Sequence, residues 1–284
     1  MPYYLSRDPR HTVIGSIRAI GRLIRFLATF ASCVIIVLGA RAVSTRVTRG
    51  PGSVRLRQWL GRRLSRAAGI WVKRTGRRPA TGGVIVANHL SWADSFVFLG
   101  ELGARFVAMD LYRRIPVVGQ ALSAAGVLYI ERSRLRDVHS VGRRIGRAVR
   151  RGELVMFFPE ADTSRGADVK PFRGALLEPA AGAGAPAWWC ALRYETPPGW
   201  PPASVVAAWA DWTPLLLHAW RFFHPPRITA RIHYGTASEK GRDRKETAAA
   251  LHAAVSGAFE PMEQLDPAEL ARIHVPPRKP QAKF

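Results

Sequence analysis

The chain has 284 residues, 48% of them hydrophobic, which supplies enough apolar material for a core and excludes wholesale disorder. Two cysteines, Cys33 and Cys190, make neither a disulfide framework nor a zinc site, and a metal centre is not expected. The formal charge of +23 calls for an anionic partner or surface, and it is unevenly spread: residues 1–78 carry 17 Lys and Arg against one acid, Asp8.

In chain order, residues 1–10 read as frayed. Residues 12–43 are helical in pattern, with Arg18, Arg22 and Arg25 at one-turn spacing and Ile14, Ile17 and Ile20 away from them. The uncharged run at 26–40 has fifteen residues, short of the roughly twenty that cross a bilayer. Arg25 and Arg41 can snorkel and lengthen it. Basic flanks on an apolar run predict an anchor lying in one leaflet of an anionic membrane, with a spanning helix as the alternative. Ala40-Arg41-Ala42 imitates a cleavage site, but the dense positive charge beyond it argues against export. Nucleic acid is the competing explanation for the charge; no recognition motif accompanies it, and it is not expected as a partner.

After a turn at 48–52, residues 54–71 read as a second basic helix with Leu56, Leu60, Leu64 and Ala67 on one stripe. A polar, Gly- and Pro-bearing link at 76–83 places the boundary. Residues 1–78 are then the anchoring helices, 79–275 one folded domain and 276–284 a flexible tail. Within the domain, apolar strands alternate with helical stretches, the α/β pattern. Strands are predicted at 84–87, 105–108, 127–130, 154–158, 187–194 and 228–234. Helices are predicted from Ser91 or Asp94, and at 117–125, 137–151, 214–223 and 243–259.

Chemistry collects at strand ends. Asn88 and His89 follow the first strand, and Asp94 stands five residues beyond the imidazole. On a regular helix that spacing separates two side chains by about 140°, so His89 must sit in the turn and Asp94 must reach back. The pair can then act as a base and its orienter; the alternative is a loop histidine with Asp94 as a helix cap. Pro116 and Gly119 make a tight turn near Arg113, Arg114 and Arg132, which can face an anionic group. A third stretch, Phe158-Pro159-Glu160-Ala161-Asp162-Thr163-Ser164-Arg165, puts acids, hydroxyls and a cation at another strand end. Pro171–Ala175 is expected to return the chain to a helix, and Pro186 leads a strand bearing Trp188 and Trp189.

Taken in this order, the set resembles the 1-acylglycerol-3-phosphate O-acyltransferase (lysophospholipid acyltransferase) family, from about residue 83 to residue 262. The family's Asn-His-x4-Asp block is Asn88-His89 with Asp94. Its Pro-x-x-Gly turn and Arg-ended strand are Pro116, Gly119 and Arg132. Its Phe-Pro-Glu-Gly-Thr-Arg-Ser block is residues 158–164, and its proline-led strand starts at Pro186. The resemblance implies a mixed sheet flanked by helices and a transfer of a fatty acyl chain from acyl-CoA or acyl-carrier protein to a lysolipid hydroxyl. His89 would be the general base and Asp94 its partner. Asn88, Arg113, Arg114, Gly119, Arg132, Glu160, Thr163, Ser164 and Arg165 would bind substrate. No cofactor beyond the acyl donor is expected, and the site would lie at the cytoplasmic face of the inner membrane. In the third block the family's Gly, Thr and Arg are Ala161, Asp162 and Thr163. Losing the arginine and gaining Asp162 disfavours a phosphate and suits an aminolipid such as lyso-ornithine lipid. An acyl-thioester hydrolase, a pseudoenzyme and a non-enzymatic basic protein are the rival readings.

Overall fold

The strand predicted at 84–87 lies at the centre of a sheet. The computed structural model describes residues 9–43, 52–79, 82–131, 135–178, 186–210, 213–236 and 243–272. The expected frayed start before residue 9, the turn up to residue 51, Arg132 and the tail at 276–284 lie outside the described residues.

Helices α1 (Pro9–Val43) and α2 (Gly52–Ala67) precede strand β1 (Ile70–Gly76), and β2 (Gly83–Ala87) leads to α3 (Asp94–Leu102). Then follow β3 (Arg105–Met109), a 3-10 turn (Asp110–Arg114), α4 (Val118–Ala124), β4 (Leu128–Ile130), α5 (Leu135–Arg150) and β5 (Leu154–Phe157). The C-terminal part holds β6 (Ala187–Glu195), α6 (Ala203–Val206), α7 (Leu215–Phe223), β7 (Ile228–Tyr234), α8 (Arg244–Ala258) and α9 (Pro267–Arg272). After Pro171 the chain enters a 3-10 turn, Gly174–Leu176, and Glu178 beyond it is helical, at the limit of the described residues.

Among the described residues seven strands form one sheet in the order β1-β7-β6-β2-β5-β3-β4, with the β6–β7 pair antiparallel and the others parallel. Val84, Ile85, Val86 and Ala87 are all 0% exposed, as expected of a parallel strand covered on both faces. The two-residue period divides the core. Val84, Val86, Val155 and Phe157 meet Val141 and Ile145 of α5 and Leu251 of α8. Ile85, Ala87 and Met156 meet α1, α3 and α7 through Ala19, Phe98 and Phe222. Helices α1 and α5 therefore lie on opposite faces of the sheet.

Two expectations for the N-terminal region are corrected. The helix predicted to reach Trp71 stops at Ala67, because Gly69 takes φ +79° and turns the chain into β1, which pairs along its length with β7. Residues 52–76 thus belong to the packed body, and the packing of α2 on α3 is close enough that a Cβ on Gly61 would lie 2.1 Å from the Gly100 nitrogen. Arg25, expected to snorkel, binds the chain itself, as do Arg18 and Arg22 beside it. Arg18 donates to the His224 carbonyl (3.0 Å), and Arg22 to those of Phe223 (3.2 Å), Pro225 and Pro226, at the end of α7. Arg25 donates to Arg66 and Ala67 at the end of α2, both at 3.1 Å. Arg57 and Arg62 of α2 do the same for Gly103 (2.7 Å) and Gly100 (3.0 Å) at the end of α3. Cations at these carbonyls satisfy acceptors left over by each helix and complement its dipole.

Candidate active site

Strand β2 delivers Asn88 and His89 to the loop at its C-terminal end, and Asp94 opens α3. The carboxylate reaches back: His89 Nδ1 lies 2.8 Å from Asp94 Oδ2. That oxygen also accepts the backbone N–H groups of Leu90 (2.7 Å) and Ser91 (2.9 Å), and Oδ1 accepts the Tyr194 hydroxyl at 2.7 Å. Four donors hold Asp94, which is 0% exposed, in one orientation. With Asp94 accepting, Nδ1 carries the ring hydrogen and Nε2 presents its lone pair. The imidazole is 20% exposed, so a substrate hydroxyl can approach it. Burial, and then the Asp94 charge, push the Tyr194 phenol well above its usual range, which keeps it a donor.

The third sequence block supports this turn from below. Glu160 Oε1 accepts the His89 backbone N–H at 2.7 Å and Oε2 accepts that of Lys170 at 3.2 Å. Burial pushes the Glu160 carboxyl up to about 8, against the pull of those two donors and of the Lys170 charge. Ser164 N–H donates to the His89 carbonyl (3.0 Å), and the Phe158 ring stacks on the imidazole with centroids 4.0 Å apart and planes 4° from parallel. Ala161, where the related block has glycine, sits at φ +65°, a conformation that costs an alanine of order 1 kcal/mol. Trp209 closes the ring of loops: its N–H donates to the Leu90 carbonyl (2.8 Å), and its own carbonyl accepts the Thr163 hydroxyl.

The predicted site residues thus divide. His89, Asp94, Glu160, Thr163 and Ser164 converge. Asn88 adjoins them but is 1% exposed, and its amide bonds both the N–H and the carbonyl of Leu192 at 2.8 Å; it ties β2 to β6 as a strand residue would. Gly119 is also internal, since a Cβ there would lie 2.1 Å from the Arg113 carbonyl oxygen, so the close approach is to the chain itself. Val117, in the same turn, takes φ +63° with Val118 N–H bonded to the Pro116 carbonyl at 2.6 Å, a γ-turn. Arg113 and Arg114 are exposed on the turn after β3, two strands from β2, with Arg114 Nε 3.4 Å from Asp110. Arg165 donates to the Ser204 carbonyl at 3.3 Å. Asp162 is countered by Lys170, 3.7 Å away.

Sequence reading missed Tyr194, Lys170 and Trp209. Tyr194 lies 100 residues from Asp94, and only the pairing of β6 beside β2 joins them, so spacing carries no signal for it.

Comparison with known proteins finds relatives in sequence and in fold. The family model described as Acyltransferase matches residues 55–192. A 1-acyl-sn-glycerol-3-phosphate acyltransferase of Neisseria meningitidis is 33% identical over 166 residues, covering 58% of this chain and 64% of that protein, just under two thirds of its length. A lyso-ornithine lipid O-acyltransferase of Pseudomonas aeruginosa is 30% identical over 242 residues, covering 82% of this chain and 92% of that protein. The crystal structure of the 1-acyl-sn-glycerophosphate acyltransferase of Thermotoga maritima superposes with a TM-score of 0.61 at 17% identity, over 86% of this chain and 97% of the other, which establishes a shared fold.

Proposed function

The chain belongs to the acyltransferase family that includes the lysophosphatidic acid and other lysolipid acyltransferases, and from that membership we propose that it transfers a fatty acyl chain from an acyl thioester to the free hydroxyl of a membrane lysolipid. The observation that carries the mechanism is the 2.8 Å bond from His89 Nδ1 to a carboxylate held by three further donors. Nε2 takes the proton of the acceptor hydroxyl as its oxygen attacks the thioester carbonyl. The tetrahedral adduct then collapses with loss of the thiolate, which leaves as a thiol once protonated by the imidazolium. Asp94 stabilises that imidazolium and fixes the ring. Glu160, Ser164 and Phe158 position the loop. We assign the acceptor head group to Thr163, in the ring of loops, and to the cations Arg165, Arg113 and Arg114, the last two on the turn after β3, two strands away.

Membrane association is supported by α1, and the cytoplasmic face of the inner membrane is the side we assign to it. Residues 13–43 are long and apolar enough to cross a membrane by length and composition, and only 11% of its most apolar window is buried. Ile17, Ile24 and Ile35 are each more than 60% exposed, a surface that lipid would cover.

For the acceptor, 1-acyl-glycerol-3-phosphate is the first reading. Lyso-ornithine lipid is the second, favoured by Thr163 in place of the family's arginine with Asp162 beside it, and by the longer match to the Pseudomonas protein. Incubating the full-length protein with a labelled acyl thioester, with and without each lysolipid, tests the reaction. Acceptor-dependent formation of a diacylated product is expected; thioester loss at the same rate without acceptor would mean a hydrolase.

A further inference from the structure

Eight arginines and one acid, Asp137, stand between residues 132 and 151. On α5 they are sorted by the helical period. Val141, Ile145 and Ala148 face the sheet and are at most 2% exposed, while Arg136, Arg143, Arg147 and Arg150 recur on the outer side and are all exposed. The row from Arg136 to Arg150 is about 21 Å long at 1.5 Å per residue. No described carboxylate forms an ion pair with any of these four; the nearby Glu153 pairs with Arg105 instead, at 3.3 Å. Burial and the charges of Arg105, Arg113 and Arg147 lower the Arg144 guanidinium, so the row continues into a cluster that reaches the turn after β3. A long cationic row without internal partners is self-repelling until an anion covers it.

Position narrows the anion. Helix α5 packs on the sheet face opposite α1, so the row points away from the apolar helix that would meet the bilayer. Its length suits an acidic helix better than one diphosphate group. Its N-terminal end follows β4, and β4 and β2 are three strand spacings apart in the order β2-β5-β3-β4, about 14 Å at 4.7–4.9 Å each. A partner seated there on the strand-end side stands within reach of His89 for a flexible thioester-bearing arm.

We propose that the outer face of α5 docks an acidic acyl-carrier protein that supplies the thioester, a reading that rests on the acyl transfer argued above and names its donor. The surface steers the encounter and contributes to KM rather than to bond making.

The test compares donors in the full-length protein. The triple variant Arg143→Glu/Arg147→Glu/Arg150→Glu alters exposed side chains, and an unchanged melting temperature verifies its fold. With acyl-carrier protein as donor, kcat/KM should fall by 30-fold or more, chiefly through KM, and wild-type kcat/KM should fall as salt rises. With acyl-CoA, the variant should stay within about twofold of wild type. An equal loss with both donors, no loss with the carrier protein, or wild-type use of acyl-CoA alone would overturn the proposal. Loss of binding to anionic vesicles, or of binding to duplex DNA, in place of the donor effect would assign the row to those partners instead. A wild type inactive with either donor would remove the transfer reading itself.

Discussion

At the scale of single residues, the account turns on how tightly the His89 partner is held. Asp94 accepts from the imidazole, two backbone N–H groups and the Tyr194 hydroxyl. Replacing it with Asn turns an acceptor toward those donors and presents an N–H₂ to at least one of them. Asp94→Asn should lower kcat by roughly 10³-fold through the wrong tautomer and cost about 1–3 kcal/mol of stability, measured by steady-state kinetics and a thermal melt. Tyr194→Phe removes one bond and leaves the tautomer intact. It should cost about 1 kcal/mol and lower kcat less than tenfold with KM unchanged; a loss equal to that of Asp94→Asn would show that Tyr194 does more than orient. His89 and Asp94 were legible because the strand run and a five-residue spacing bring them together locally. Tyr194 was not, because its approach to Asp94 is made by strand order. Asn88 was legible as a neighbour of the site, but its role was not, since a buried amide bridging two strands looks in sequence like any polar residue after a strand.

Among the elements, legibility followed burial. Six strands stood out as apolar runs, and β2 is covered on both faces. Strand β1 escaped notice because six of its seven residues are exposed or half-exposed in an edge position and it carries Lys73 and Arg74, so its outer half reads as a basic extension of α2. The internal role of the arginines of α1 and α2 was hidden for a related reason: the carbonyls they bind, at the ends of α2, α3 and α7, have no signature in sequence. The closest helix packing depends on glycine. Gly61→Ala would place a methyl 2.1 Å from the Gly100 nitrogen, forcing α2 off α3. A destabilisation of about 2–3 kcal/mol is expected, read as a lower melting temperature. Helix α7 carries a pH-dependent contact. His218 Nδ1 accepts the Trp92 indole N–H at 2.9 Å and Nε2 bonds the Ala208 carbonyl at 2.9 Å, so the neutral ring is fully used. Burial lowers its pKa to about 4, with Arg221 adding to the shift against the backbone carbonyls. The folded pKa lies below the unfolded 6.5, so as pH falls the unfolded chain binds the proton first. This contribution is present above about pH 6.5 and lost toward pH 4. From pH 7.5 to 5 the protein should lose roughly 2 kcal/mol from this group, and His218→Gln should show a shallower decline in melting temperature over that interval.

For the whole molecule, the sheet separates two surfaces of different chemistry. On one face α1 exposes an apolar side beneath helices capped by its own arginines; on the other, α5 exposes an arginine row. The net charge of +23 therefore has more than one use, part of it satisfying backbone carbonyls and part turned outward. Between the faces, at the strand ends, sits a partly exposed imidazole with one nitrogen committed to Asp94. The most direct measurement is acyl transfer from a labelled thioester to lysolipid in vesicles by wild-type protein and by His89→Ala, with the fold of both verified by thermal melting. Acceptor-dependent diacyl product from the wild type, reduced at least 10³-fold in a folded His89→Ala variant, is the predicted result; a folded variant that transfers at the wild-type rate would contradict base catalysis by His89.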